Sequence, residues 1–344
     1  RIQPLDDGLM AVAKAHQDTL TKPAGSLGVL EDLGVKLAGI TGRAVPKVEY
    51  KAVIVLAGDH GVAAEGVSAY PPEVTAQMVQ NILRGGAAIN VLARQAGARV
   101  VVADVGVAAD LPEHPDLLPH KIARGTANML EVPAMTQDQA VRAVEIGVEI
   151  VTNEVVRGLD LVATGEMGIG NTTPASAITA AYTGLPVAQV TGRGTGVDSV
   201  GLARKVDAIE SALALHQPNP TDAFGILAAV GGFEIGGIAG VCLGAAAHRL
   251  PVIVDGFIST AGALIAVGLC PAVKPYLIAS HLSVERGHGS LWQALGLRPL
   301  LDLNLRLGEG TGAVLSMHLI EAACRIMAEM ATFADAGVSG RGAD

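Results

Sequence analysis

Hydrophobic positions along this chain follow two alternating regimes. Runs that are apolar at nearly every position occupy residues 51–57, 98–105, 159–164, 187–190, 250–256 and 275–279. A strand covered on both faces reads this way, because side chains on either side of the sheet must be apolar. Between these runs lie segments whose apolar residues recur at three- and four-residue spacing, as one buried helix face requires. They cover 5–20, 27–40, 73–83, 88–95, 137–156, 175–181, the stretch carrying Arg204-Lys205, the small-residue stretch after Glu234, and 311–330. Helices in alternation with buried strands predict a doubly wound, mostly parallel α/β sheet. Residues 42–47 read as a linker and residues 110–135, with many Pro, His and Gly, as a long surface excursion.

The punctuation between these elements carries the candidate chemistry. The strand at 159–164 runs into Gly165-Glu166-Met167-Gly168-Ile169-Gly170-Asn171-Thr172-Thr173-Pro174 and then a helix. Strand, glycine-rich turn and helix aim unpaired amides and the positive helix end at one spot, where a phosphate can sit. Glu166 would repel that phosphate, so it is expected to face a cationic or hydroxyl-bearing part of the ligand; the alternative is a tight turn with a solvated Glu. The first strand ends in Gly58-Asp59-His60-Gly61, and ligands of open parallel sheets bind at such carboxyl ends. Asp59 and His60 could hold a metal, but no further ligand stands at helical spacing; otherwise Asp59 caps the turn and His60 bonds backbone. Tyr70 and Met78 could floor a pocket for a flat heterocycle or simply belong to the core. Val187-Ala188-Gln189-Val190 ends in a second glycine-rich turn, Thr191-Gly192-Arg193-Gly194-Thr195-Gly196. Lys205 beyond it is a candidate phosphate counter-charge or part of a solvated helix face. Lys22, in a Pro/Gly break where Ser26 can cap the next helix, has the same two readings. Glu309, between Gly308 and Gly310 at the start of the last helix, is either an exposed capping residue or a general base whose ionised form the helix dipole favours.

Composition narrows the classes. The 344 residues are 50% hydrophobic but 3% aromatic, so the core is built from small aliphatic side chains. A formal net charge of -9 without a Lys/Arg cluster argues against nucleic acid, which needs phosphate neutralisation and stacking platforms. Cys242, Cys270 and Cys324 stand alone in apolar company with no CxxC, and read as buried small hydrophobes in a reducing compartment. The Gly-rich apolar stretches near 235–247 and 256–270 fall short of the ~20 residues of a membrane span. No basic segment followed by an apolar one opens the chain, so the expectation is a cytoplasmic protein without a membrane partner.

Five stretches, taken together, resemble one family. They are Thr21-Lys22-Pro23-Ala24-Gly25-Ser26-Leu27-Gly28, Ala57-Gly58-Asp59-His60-Gly61, Gly165-Glu166-Met167-Gly168-Ile169-Gly170-Asn171-Thr172-Thr173, Val230-Gly231-Gly232-Phe233-Glu234 and Arg306-Leu307-Gly308-Glu309-Gly310. In this order they resemble nicotinate-nucleotide–dimethylbenzimidazole phosphoribosyltransferases, with Ala24 where the family usually has a second proline. The resemblance implies transfer of the phosphoribosyl group of nicotinate mononucleotide to 5,6-dimethylbenzimidazole, giving α-ribazole 5′-phosphate with inversion at C1′, a step in building the cobalamin lower ligand. It implies Glu309 as general base and Glu166 as a supporting group. It also implies Gly168, Lys205 and Ser283 at the phosphate and nucleotide, with Asn171 and Thr172 beside them, and Tyr70 to Met78 as a variable base-pocket wall. No metal or redox cofactor is implied. A homodimer is implied, with a large Rossmann-like α/β domain (residues 45–312) and a small helical domain from both chain termini (1–44 with 313–344). Two other classes share glycine-rich strand ends: a nicotinamide-dependent dehydrogenase and a non-catalytic nucleotide-binding module. Against the first, no G-x-G-x-x-G follows the first strand with an acidic residue some 20 positions on.

Overall fold

The computed structural model describes residues 1–339; the last part of the 313–344 segment, residues 340–344, lies outside the described residues. Six parallel strands form the main sheet: β1 (Lys51–Gly58), β2 (Ala98–Gly106), β3 (Leu117–Pro119), β4 (Leu161–Met167), β5 (Val252–Val254) and β6 (Leu277–Ala279). Their order is β3-β2-β1-β4-β5-β6, so the chain reverses direction across the sheet between β1 and β4. A doubly wound sheet opens a crevice at that switch, beyond the carboxyl ends of the strands. A second, two-stranded parallel pair, β7 (His281–Leu282) and β8 (Leu301–Asp302), continues past β6.

Strand alternation divides the interior into two cores. Ala52, Ile54 and Leu56 of β1 join one cluster, with Val101, Ala103 and Val105 of β2 and Val162 of β4. Helices Gln137–Val156, Phe233–Ala247 and Phe257–Leu269 supply the rest of that layer. Val53, Val55 and Ala57 face the opposite way, with Leu161, Ala163 and Ile253, into a cluster closed by helices Val29–Thr41, Val74–Leu83, Ala88–Ala96 and Thr311–Glu329. Both sets are buried, which is why the strands read as continuous apolar runs rather than as alternation.

The ends of the chain are stitched together. Leu20 and Thr332 form an antiparallel bridge, and the Thr21 amide donates to the Ala331 carbonyl over 3.0 Å. Helix Val29–Thr41 packs on helix Thr311–Glu329, which itself lies on the sheet.

Several local expectations are corrected. Val187–Val190 is a helical turn, not a strand: Pro186 starts it, and Val187 and Val190, one turn apart, share the buried face. The sixth strand is instead β3, inside the stretch read as a surface excursion, whose far end also buries Met129, Ala134 and Met135. Residues 271–276 form a 3-10 turn, leaving only Leu277–Ala279 as strand. Ser26 caps nothing; helix Val29–Thr41 starts at Gly28 with φ 54°, and Glu31 accepts the Gly25 and Leu27 amides. Lys22 is buried with Glu31, 2.8 Å from its carboxylate, and is neither solvated nor free for a phosphate. Cys242 and Cys324 are buried, while Cys270 is half-buried.

Helices Gln137–Val156 and Phe233–Ala247 meet backbone to backbone. A Cβ on Gly240 would lie 1.9 Å from the Val144 carbonyl oxygen, and one on Gly147 would lie 2.0 Å from that of Gly237. No side chain can rotate away to relieve these contacts, so the helices themselves must separate. Gly240→Ala is therefore expected to cost about 3 kcal/mol or more, at the upper end for overpacking. Thermal denaturation checks this; a melting temperature equal to wild type would show that the helices part freely.

Candidate active site

The crevice at the carboxyl ends of β4, β5 and β6 holds a cleft of about 110 Å³. Its wall from β4 is the predicted turn: Glu166, Gly168, Asn171 and Thr172 all line it. Asn171 is the N-cap of helix Thr172–Thr183, yet its side chain makes no cap bond. It donates instead to Glu166, Nδ2 to Oε2, at 2.5 Å. The first turn of that helix thus faces the cleft with no side chain capping it, as an anion site needs. The Ile169 amide donates to Thr75 Oγ1 over 3.0 Å, which ties helix Val74–Leu83 to the turn.

Glu166 is 6% exposed. Burial, reinforced by the charges of Glu234, Asp255 and Glu309 and only partly offset by Asn171, pushes its carboxyl up to about 8. A carboxyl in such a place is held neutral near pH 7 until a cation enters beside it. His60 stands behind Gly168, with Nε2 2.9 Å from Glu234 Oε1. Burial works against its charge, but Glu234 and Asp59 outweigh that and raise the imidazole above its ordinary value. His60 therefore bonds a carboxylate rather than backbone, and Asp59 accepts the Ala108 amide at 2.8 Å.

Glu309 follows from a run of three left-handed residues, Gly308 (φ 84°), Glu309 (φ 62°) and Gly310 (φ 90°). Such a φ costs a non-glycine residue roughly 1 kcal/mol or more and needs support. Asp255, at the end of β5, provides it by accepting the Gly310 amide at 3.1 Å and the Ala313 amide at 2.9 Å. Gly308 is confined to glycine from the other side, since a Cβ there would lie 2.3 Å from Glu166 Oε1. The Glu309 side chain turns away from its own helix and accepts the Ile89 amide, at 3.3 Å, in the first turn of helix Ala88–Ala96. Burial dominates and raises its carboxyl, the Ile89 amide opposes, and Asp255 adds to the rise. The alternative reading of Glu309 as an exposed capping residue is corrected, because the side chain is buried.

Lys205, on helix Ser199–His216, is fully buried behind the cleft, Nζ 2.5 Å from Thr172 Oγ1. Burial lowers it to about 8, with the Glu285 charge working the other way. Gly194 covers it: a Cβ there would lie 2.6 Å from Thr172 Oγ1 and 3.2 Å from Lys205 Nζ. Ser283 and Glu285 line the opposite wall, and Arg306, whose Nη1 donates to the Gly194 carbonyl, lies at the rim.

Of the residues singled out in the sequence, Glu166, Gly168, Asn171, Thr172 and Ser283 come together on one cleft, with Lys205 directly behind Thr172. Glu309 flanks it through Gly308 and Gly165. Tyr70 is 54% exposed and Met78 half-buried on helix Val74–Leu83; neither lines the cleft. The Tyr70 loop is nevertheless tied to the cleft, because the Ala69 amide donates to Thr195 Oγ1 at 3.0 Å. Asp255, Glu234, Glu285 and Arg306 carried no assigned role in the sequence. Asp255 ends its strand as Asp59 does, and the same rule could have found it.

An open doubly wound sheet brings an uncapped helix start, a buried lysine and acidic groups to one crevice, an arrangement suited to a small molecule that carries a phosphate. The chain matches a phosphoribosyltransferase family profile over residues 2–338. It is 62% identical to the nicotinate-nucleotide–dimethylbenzimidazole phosphoribosyltransferase of Chloroflexus aggregans, over 98% of this chain and 96% of that one. It is 63% identical to the enzyme of the same name from a Roseiflexus species, over 99% and 97%. The crystal structure of CobT from Thermus thermophilus superposes with a TM-score of 0.94 at 52% identity, covering 97% of this chain and 100% of that one. The chain belongs to the nicotinate-nucleotide–dimethylbenzimidazole phosphoribosyltransferase family, which displaces the dehydrogenase reading.

The raised Glu166 carboxyl has a consequence for stability. The folded protein keeps this proton to about pH 8, whereas an unperturbed Glu releases it near 4.5. The group's stabilising contribution is therefore full below pH 4.5 and lost as pH rises through about 8. Glu166→Gln removes the titration, so its melting temperature should gain on wild type between about pH 5 and pH 8. Calorimetry at both pH values would show no widening gap if the carboxyl ionised normally.

Proposed function

We infer that this protein transfers the phosphoribosyl group of nicotinate mononucleotide to 5,6-dimethylbenzimidazole, releasing nicotinate and giving α-ribazole 5′-phosphate for the cobalamin nucleotide loop. The observation that carries this reading is the pairing, within one cleft, of an anion seat and an acidic seat. The donor has a phosphate at one end and a pyridinium at the other. The turn after Gly168, with Lys205 behind Thr172 and Ser283 opposite, suits the first; Glu166 suits the second.

In the reaction the benzimidazole nitrogen gives its lone pair to C1′, and the C1′–pyridinium bond breaks with its pair returning to the pyridine nitrogen. Nicotinate leaves neutral at that atom, a leaving group that needs no protonation. The attacking ring becomes cationic, its remaining N–H turns acidic, and Glu309 takes that proton. A buried carboxylate with a raised pKa is the better acceptor for it. Glu166, as a supporting group, stabilises positive charge at the ribosyl centre; its own proton passes through the cleft to solvent as the cationic donor binds. By resemblance Tyr70 and Met78 belong to a variable wall for the base, apart from the cleft that Glu166 lines.

The same reading includes a homodimer, a cytoplasmic location, and a helical unit built from residues 1–44 with 313–344 beside the α/β unit of 45–312. The stitched chain ends support the last of these, and three free cysteines support a reducing compartment. Among the described residues no helix is long and apolar enough to cross a membrane.

Glu309→Gln keeps the shape and the Ile89 contact but accepts no proton. Turnover should fall by about 10²–10⁴, with KM for nicotinate mononucleotide little changed. Product mass spectrometry with both substrates checks this, and wild-type turnover would remove Glu309 from the chemistry.

A further inference from the structure

His288 does not line the cleft, yet each of its ring nitrogens holds one of its walls. Nδ1 accepts the Ser283 amide at 2.8 Å, so the ring proton is on Nε2. Nε2 donates to Thr260 Oγ1 at 2.9 Å, and the Thr260 hydroxyl donates to the Gly256 carbonyl at 2.8 Å. Ser283 and Gly256 both line the cleft, on different loops. The ring is fully buried, its plane fixed by Trp292 and His281 at centroid distances of 4.9 and 5.8 Å. The Trp292 indole N–H in turn donates to the His281 carbonyl at 3.1 Å. Burial, with His281 beside it, holds the imidazole down to about 3, so it stays neutral and Nδ1 remains an acceptor.

We propose that His288 is a positioning residue for the phosphoribosyl donor, a two-armed brace that sets the distance between the Ser283 wall and the Gly256 wall. Only an uncharged imidazole in this tautomer presents an acceptor to the Ser283 loop and a donor to the first turn of helix Phe257–Leu269 with a rigid separation. A glutamine offers a flexible amide in its place, and a valine at 260 removes the second arm while keeping the shape. The proposal rests on the reading of the cleft as the donor site.

The test is steady-state kinetics with nicotinate mononucleotide varied at saturating dimethylbenzimidazole, on His288→Gln, Thr260→Val and Ser283→Ala. Misplacing the wall should raise the donor KM about tenfold in His288→Gln and Thr260→Val, with kcat and the base KM within about threefold. A purely structural role would lower melting temperature and active fraction and leave the donor KM of the folded enzyme unchanged, which overturns the proposal. If His288→Gln does not fold, Thr260→Val decides alone. A Ser283→Ala enzyme with wild-type donor KM would sink the donor-site reading itself. A raised KM in Ser283→Ala alone would sink only the brace.

Discussion

The site depends on Asp255 gripping the start of the last helix. Its two carboxylate oxygens take the Gly310 and Ala313 amides, a clamp between the end of β5 and a segment more than fifty residues later in the chain. Burial disfavours its charge, while His281 and the amides of Ala313, Gly256 and Gly310 favour it. Losing the carboxylate would leave buried amides without partners, a penalty larger than the net worth of the bonds. It would also release residues 308–310 from a left-handed conformation that costs glutamate more than glycine. The placing of Glu309 relative to Glu166 thus rests on Asp255.

Crowding of carboxylates is the second constraint. Glu166, Glu234, Asp255 and Glu309 lie close enough for their charges to act on Glu166. His60 answers Glu234, backbone amides and His281 answer Asp255, Asn171 answers Glu166, and Ile89 answers Glu309. Each has a fixed dipole or a partner, so the crevice is preorganised. Even with its partner, Glu166 sheds its charge by protonation near pH 7.

Legibility in the sequence followed burial. β1 and β4 were readable because both faces of each are covered, and the run of Val, Ile, Leu and Ala says so. Val187–Val190 misled because four apolar residues fit a helical turn as well as a strand, and only Pro186 hinted otherwise. β3 was invisible: three residues in a Pro-rich stretch carry no periodicity. The turn after β4 announced itself through its glycines, and the left-handed run around Glu309 through its two. The direction of the Glu309 side chain, toward helix Ala88–Ala96 rather than its own, is a tertiary fact that no local pattern encodes. The same holds for one contact of His288: Ser283 lies five residues before it, but Thr260 comes from helix Phe257–Leu269, 28 residues earlier.

The terminal helix joins two distant regions rigidly. Its 19 residues, at about 1.5 Å each, span roughly 28 Å. One end carries the clamp on Asp255; beyond the other, Ala331 and Thr332 are laced to Leu20 and Thr21. A rod held at both ends moves as a whole. The first twenty residues are thus tied, through one continuous helix, to the segment that carries Glu309.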